Sequence, residues 1–245
     1  CFTIVLQDPR SGPDTADLIW VPAHDKRRGP NVITTVISPH GVTLDRLETL
    51  RRNPLPGIEA LPEPRIAVLL GGRTKIYPFG DEDEGRLEAA LRQLAGLNAS
   101  FMVTASRRTH RELLHAAEKG TSGAPRLIWR GAQDGENPYP HFLANADWFV
   151  VTADSVNMAG EACATGRPVY VFHPKGGSAK FDRFHKCLET AGFCGPLPEP
   201  VYRLDRWAYA PQVTADEIAR EIERRYWRRR RAVPGLVKPG VHTET

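Results

Sequence analysis

The sequence predicts an α/β fold built on parallel β-sheets. Short runs rich in apolar and β-branched residues, such as 65–70 and 169–172, are typical of strands that are buried on both faces. Segments with helical spacing separate these runs, and the segment 83–96 places Leu87, Leu91 and Leu94 on one face. Strands that alternate with helices in this order form parallel sheets covered by helices on both sides.

The first 52 residues predict three strands and one helix. The strands are expected at 2–6, 17–21 and 31–37, and the helix at 43–52. Four prolines within 53–64 then predict a linker, because proline fixes φ and donates no backbone hydrogen bond. We therefore expect a first domain over residues 1–60. The chain starts with Cys1 directly against an apolar run, so we expect this domain to be incomplete at its N-terminus.

The second predicted domain covers residues 64–205. Its expected strands and helices alternate along the chain: strands 65–70, 100–104, 126–129, 148–151 and 169–172, and helices 83–96, 109–120, 137–146, 156–165 and one closing over 186–192. Thr109-x-x-Glu112 and Thr214-x-x-Glu217 have the spacing of capping boxes. The second box predicts a long helix that runs to Arg231, within a third segment over 206–245. The tail after Ala232 is polar and is expected to be loose.

Composition narrows the class of protein. No apolar run has the length of a membrane span. The four cysteines form no C-x-x-C pair, so we expect neither a zinc site nor a disulfide framework, and we expect a reducing, cytoplasmic location.

The net charge of +4 comes from one segment. Six arginines lie between Arg224 and Arg231, and without them the chain has 27 basic and 29 acidic side chains. A basic helix with interleaved aromatic residues is suited to an anionic membrane surface, here as a peripheral contact with the inner membrane. A solvated helix end and an RNA contact remain alternatives. Nucleic acid is disfavoured because nothing else in the chain is basic.

Five loops are expected to meet at one edge of the second sheet. Ligands of parallel sheets bind where the carboxyl ends of the strands meet. The loops are 71–75, 105–108, 130–137, 152–155 and 173–180.

Two of these loops contain residues suited to a phosphate. Gly71 and Gly72 would let backbone amides approach it, with Arg73 nearby, although a structural turn is an equal alternative. Ser106 and Arg107 follow the next strand, and arginine forks suit a diphosphate; a solvated helix start is the alternative.

A strand, a short loop and a helix follow one another over 148–165. A helix start carries unpaired amides and a partial positive charge that favour an anion. Asp154 or Ser155 can cap this helix, and Glu161 lies where its carboxylate could accept hydrogen bonds from a ribose. The alternative is an ordinary βαβ unit in which Ser155 is a cap and Glu161 a surface charge.

His24 and Asp25 follow a strand of the first domain. A histidine beside a carboxylate is a candidate general base near neutral pH. Neighbouring side chains in an extended segment point to opposite sides, so the two need not touch, and a structural histidine is the alternative.

Several segments together resemble the "elongated mitochondria" family, which is similar in fold to GT-B glycosyltransferases. They are VPAHD with GPNV, LLGGR, SRRT, GENPY and VTADSVNMAGEACATGRPVYVF, and the resemblance covers residue 1 to about 195. Where the family often has Glu before the His-Asp pair, this chain has Ala23.

The resemblance implies two Rossmann-like domains around a cleft and a nucleotide-sugar donor bound to the second. Gly71 and Gly72 with Asp154 and Ser155 would hold the diphosphate, and Glu161 the ribose. The base ring of the nucleotide would lie near 129–131, beside Arg130 and Gly131. The resemblance implies neither a metal nor a cofactor, since GT-B enzymes use cationic side chains and helix dipoles instead.

Our hypothesis from the sequence is a metal-independent glycosyltransferase that moves a sugar from a nucleotide-sugar to a cell-envelope or glycolipid acceptor, with His24 as the base. One alternative is a non-catalytic adaptor of the same fold that docks on membranes. The other is a nucleotide-sugar epimerase.

Overall fold

Two parallel β-sheets form the framework of the computed structural model, which describes residues 1–232. The first sheet has the order β1-β2-β3, and the second has the order β6-β5-β4-β7-β8-β9. All pairs in both sheets are parallel. The strands are β1 (Ile4–Leu6), β2 (Leu18–Pro22), β3 (Val32–Thr35), β4 (Arg65–Leu70), β5 (Ser100–Ala105), β6 (Arg126–Trp129), β7 (Trp148–Thr152), β8 (Val169–Phe172) and β9 (Cys194–Pro196). The predicted α/β class with parallel sheets is confirmed.

Eight α-helices connect and cover the strands of the described residues. They are α1 (Leu44–Arg52), α2 (Pro56–Glu59), α3 (Asp81–Ala95), α4 (Arg111–Gly120), α5 (Tyr139–Asn145), α6 (Val156–Cys163), α7 (Ala179–Thr190) and α8 (Thr214–Ala232). Among the helices described, none combines the length and apolar character needed to cross a membrane.

Strands β4 and β7 lie at the centre of the second sheet. Their apolar runs are buried on both faces, from Ile66 to Leu70 and over all of β7. The register aligns Leu70 with Ala105 and Leu69 with Val151, so the loops after β4, β5 and β7 begin side by side. A continuous apolar run therefore sets both the burial of the strands and the grouping of their loops.

The proline-rich segment 53–64 differs from the predicted linker. Proline at the first helical position begins α2, and the side chain of Ile58 in this helix is fully buried. Leu61 is also part of the core. The segment therefore packs against the second sheet, because its few apolar residues find a partner there.

One predicted capping box is wrong. Helix α4 begins after His110, not after Thr109. The hydroxyl of Thr109 donates instead to the carbonyl oxygens of Leu70 and Gly71 at the end of β4. A tertiary partner thus replaces the local one that the spacing predicts.

Helix α8 has the predicted extent and packs against the first sheet. The ring of Tyr226 lies edge-on to Phe2, with centroids 5.9 Å apart. The guanidinium of Arg225 donates to the carbonyl oxygen of Pro30 over 2.8 Å. The prediction for the tail beyond Ala232 lies outside the described residues.

A buried histidine joins α7 to the loop after β7. Nε2 of His185 donates to the carbonyl oxygen of Ala153 over 2.9 Å, and the buried Nδ1 has no partner among residues 1–232. The ring packs edge-on against Phe184 and His173. Burial lowers the pKa of His185 to about 4, because a proton on Nδ1 would be buried without an acceptor.

This histidine predicts a loss of stability in mild acid. Between pH 6.5 and 4 the unfolded chain binds a proton at residue 185 and the native protein does not, so the free energy of unfolding falls as the pH falls. We expect His185 to contribute a loss of about 2 kcal/mol between pH 7 and pH 5. Urea titrations at both pH values measure it. His185→Gln should reduce the loss, and His115→Gln, at an exposed site on α4, should not. An equal loss in all three proteins would contradict the assignment.

Candidate functional site

The buried carboxylate of Asp154 joins three strand ends. It accepts hydrogen bonds from the amide of Gly72 (2.8 Å) and the hydroxyl of Thr152 (2.7 Å). The guanidinium of Arg108 pairs with it at 3.2 Å. Burial raises the pKa of Asp154, and these three contacts oppose the rise. The loops after β4, β5 and β7 are therefore tied together at one carboxylate.

Glycine is required at both positions after β4. A Cβ at Gly71 would lie 2.2 Å from the carboxylate oxygens of Asp154. A Cβ at Gly72 would lie 1.9 Å from the carbonyl oxygen of Arg108. These distances are far below van der Waals contact, so the two glycines let the chain segments approach each other.

The predicted phosphate-binding role of these glycines is corrected. The amide of Gly71 donates to the Thr152 hydroxyl and that of Gly72 to Asp154, so neither is available to a ligand in this conformation. The hydroxyl of Ser106 likewise donates to the carbonyl oxygen of Gly71. The structural turn, the alternative interpretation, describes this loop.

The predicted arginines lie apart from one another. Arg73 pairs with Glu84 at 3.3 Å, and Arg130 pairs with Glu118 at 2.7 Å on the edge strand of the sheet. Gly131 follows there with a φ of +154°. Arg107 is exposed and has no ion pair within residues 1–232. Arg73 is therefore held by a carboxylate of α3 and Arg130 by one of α4, so each has a partner other than a phosphate in this conformation.

A cleft of about 730 Å³ lies between the first sheet and the helices α6 and α7, which flank strand β8 of the second sheet. Residues at the carboxyl ends of β1, β2 and β3 form one wall. The first turns of α6 and α7 form the other. Such an edge is where parallel sheets bind ligands.

His24 and Asp25 both line this cleft. His24 is 6% exposed, and its buried Nδ1 has no hydrogen-bond partner among the described residues. Burial lowers the pKa of His24; the charge of Asp25 opposes this, and Lys180 and Arg183 add to it. Asp25 pairs with Nζ of Lys180 at 3.1 Å. The imidazole is therefore held neutral at pH 7, which leaves a nitrogen able to accept a proton.

Two helix N-termini face the same cleft. Ser155 and Ser178 occupy the N-cap positions of α6 and α7, and neither side chain makes a capping hydrogen bond. The expectation that Asp154 or Ser155 caps α6 through its side chain is therefore wrong, because Asp154 turns to Gly72. Asn157 and Lys180, each the second residue of its helix, line the cleft. Both helix starts thus offer partial positive charge to an anion.

Glu161 lies one turn beyond Asn157 on the same side of α6. Both residues line a cavity of about 110 Å³ that shares Ser38 and Pro39 with the large cleft. The hydroxyl of Tyr139 donates to the Glu161 carboxylate. Burial, with Glu161 adding to it, raises the pKa of Tyr139 well above its usual value, so this hydroxyl stays protonated. The carboxylate is therefore held at one end of the cleft region.

The predicted candidates His24 and Glu161 lie at the two ends of this region, and the residues between them were not among those predicted. Lys180 lies in the candidate loop 173–180, but no spacing in the sequence marks it as facing His24. Ser38 and Asn157 carry no signal either. Their position depends on how the two sheets approach each other.

A protein family described as "Mitochondrial fission ELM1" matches residues 1–226 of the chain. The mitochondrial fission protein ELM1 of Arabidopsis thaliana is 28% identical over 92% of this chain. The uncharacterized protein RP120 of Rickettsia prowazekii (strain Madrid E) is 29% identical over 64% of this chain. The aligned regions span 59% and 45% of these two relatives.

Two solved structures overlap weakly with the chain. One is from Listeria monocytogenes, of a protein provisionally named a UDP-N-acetylglucosamine 2-epimerase; it is 16% identical, with a TM-score of 0.42 over 72% of this chain and 51% of that one. The other is WaaG, a glycosyltransferase involved in lipopolysaccharide biosynthesis; it is 14% identical, with a TM-score of 0.36 over 71% of this chain and 54% of that one. The match over residues 1–226 identifies the family: the chain belongs to the mitochondrial fission ELM1 family.

Proposed function

We propose that this chain carries the active-site cleft of a nucleotide-sugar-dependent glycosyltransferase. The observation that carries the proposal is the cleft itself, in which a buried neutral histidine faces two helix N-termini. A base on one wall and an anion site on the other are the two elements that transfer from a diphosphate leaving group needs.

The donor's diphosphate is placed at the first turns of α6 and α7. The backbone amides there and the ammonium group of Lys180 supply positive charge without a metal. Glu161, about 6 Å further along α6 than Asn157, accepts hydrogen bonds from the ribose hydroxyls. The amides of Gly71 and Gly72 are not part of this site, because they donate to Thr152 and Asp154.

The transfer step assigns one role to each wall. An imidazole nitrogen of His24 takes the proton of the acceptor hydroxyl. At the same time the oxygen of that hydroxyl forms a bond to the anomeric carbon of the donor sugar. The bond from that carbon to the diphosphate breaks, and its electron pair leaves with the phosphate oxygen. The added negative charge develops beside the helix starts and Lys180, where it is stabilised most.

The acceptor is proposed to be of a cell-envelope or glycolipid type. A non-catalytic adaptor is the second candidate, and the name of the Arabidopsis relative favours it. Calorimetric titration with UDP- and GDP-sugars separates the two. Binding of one of them supports the enzyme, and no binding of any nucleotide or nucleotide-sugar supports the adaptor.

Lys180→Met should weaken donor binding about 10- to 100-fold, the usual effect of losing one charged contact to a phosphate. Calorimetry with the bound nucleotide-sugar measures the change in Kd. Lys186→Met is the matched control, because Lys186 lies on the same helix, does not line the cleft and pairs with Glu189. If the two variants bind equally well, the diphosphate does not lie at α7.

Glu161→Gln should weaken binding of the nucleoside diphosphate and leave binding of inorganic diphosphate unchanged. The amide keeps the size of the side chain but loses one of two acceptors for the ribose hydroxyls. Glu59→Gln, at an exposed position of α2, controls for the change in charge. Equal loss for both ligands would place Glu161 at the phosphates rather than at the ribose.

His24→Gln should slow release of nucleoside diphosphate from the donor in water about 100-fold or more, with the donor Kd unchanged. Burial lowers the pKa of His24, so the wild-type rate should begin to decrease in acid only at a lower pH than an ordinary imidazole would give. His115→Gln is the control. Thermal unfolding checks the fold, since the His24 ring packs against Phe184. An unchanged rate would exclude His24 as the base.

A further inference from the structure

One face of α8 carries four arginines and a tryptophan whose side chains are all exposed. These residues, which we call the arginine stripe, recur at a spacing of three or four and are all exposed: Arg220, Arg224, Trp227, Arg228 and Arg231. At 3.6 residues per turn they fall within a sector of about 100°. The stripe is about 17 Å long at 1.5 Å per residue.

The opposite face of α8 is used by the fold. Ile218 is buried, Arg225 donates to the Pro30 carbonyl oxygen, and Arg229 pairs with Asp17 at the start of β2. Arg225 and Arg229 are therefore part of the packing of α8 on the first sheet. Within the segment 224–231, which the sequence predicts to contact an anionic membrane surface, these two arginines are engaged by the fold instead.

The stripe has more cationic charge than its surroundings neutralise. Within the described residues, Arg220, Arg228 and Arg231 form no ion pair. Arg224 pairs with Glu221. Arg220 and Arg224 also border a groove of about 420 Å³ between α8 and β3, which Glu217 and Glu221 line as well, so the cationic surface lies on the side of the stripe away from this groove.

We propose that the arginine stripe docks on an anionic lipid bilayer surface, with α8 lying flat at the head groups. Guanidinium groups in one row match a plane of lipid phosphates. Trp227, 38% exposed among them, has the amphipathic ring that favours the interface between head groups and acyl chains. Outside residues 224–231 the chain has 27 basic and 29 acidic side chains, which disfavours the wider basic contact that an RNA would make. This inference does not depend on the proposed function.

Vesicle sedimentation with the full chain tests the proposal. We expect binding to phosphatidylcholine vesicles that contain phosphatidylglycerol and none to pure phosphatidylcholine, with weaker binding at high salt. The triple variant R220Q/R228Q/R231Q should bind about 100-fold more weakly, because the contributions of three basic residues near such a surface are lost together. The matched control R52Q/R92Q/R111Q removes the same charge from exposed arginines of α1, α3 and α4 and should bind like the wild type.

A second measurement follows Trp227. Its emission should shift to shorter wavelength on the charged vesicles, and the shift should disappear in Trp227→Phe. Thermal unfolding confirms that the variants fold. The proposal is overturned if the wild type does not bind the charged vesicles, if both triple variants lose binding equally, or if a single-stranded RNA competes for the same arginines at lower concentration than the vesicles.

Discussion

The carboxylate of Asp154 is the contact on which the candidate site depends. It lies between the ends of the two central strands, where it holds the Gly72 amide, the Thr152 hydroxyl and the Arg108 guanidinium. Helix α6 begins two residues later. Its first turn therefore has a defined position relative to the sheet, and the cleft has a defined wall. A buried carboxylate is stable only with such partners, so the loops cannot separate without cost.

A second contact holds the same wall from the other side. His185 of α7 donates to the carbonyl oxygen of Ala153, in the loop that precedes α6. Helix α7 is thus hydrogen-bonded to the loop from which α6 begins. The N-termini of both helices therefore face the same cleft. The wall opposite is formed by the first sheet, which brings His24. The fold thus places the helix starts and Lys180 on one side of the cleft, and the neutral imidazole of His24 with Asp25, the ion-pair partner of Lys180, on the other.

Helix α8 relates the end of the chain to its beginning. It follows the second sheet in sequence but packs on the first, through Tyr226 against Phe2 and Arg225 against Pro30. The residues before it contact the cleft region, since Nε2 of His40 donates to the carbonyl oxygen of Gln212 over 3.1 Å. The proposed membrane surface is therefore attached to the half of the protein that carries the proposed base, and an acceptor held in a bilayer would approach that half.

The sequence by itself determined the class of fold, most strand positions and the extent of α8, because apolar runs and helical spacing act locally and survive in any packing. It also identified His24 and Glu161 as candidates from their places after a strand and within a helix. It could not decide which glycine amides were already engaged, that Thr109 would turn from a cap to a tertiary partner, or that Lys180 would lie beside Asp25. It could not separate the inward Arg225 and Arg229 from the outward stripe. Tertiary structure decided these points, because each depends on which distant group competes for the same hydrogen bond or charge.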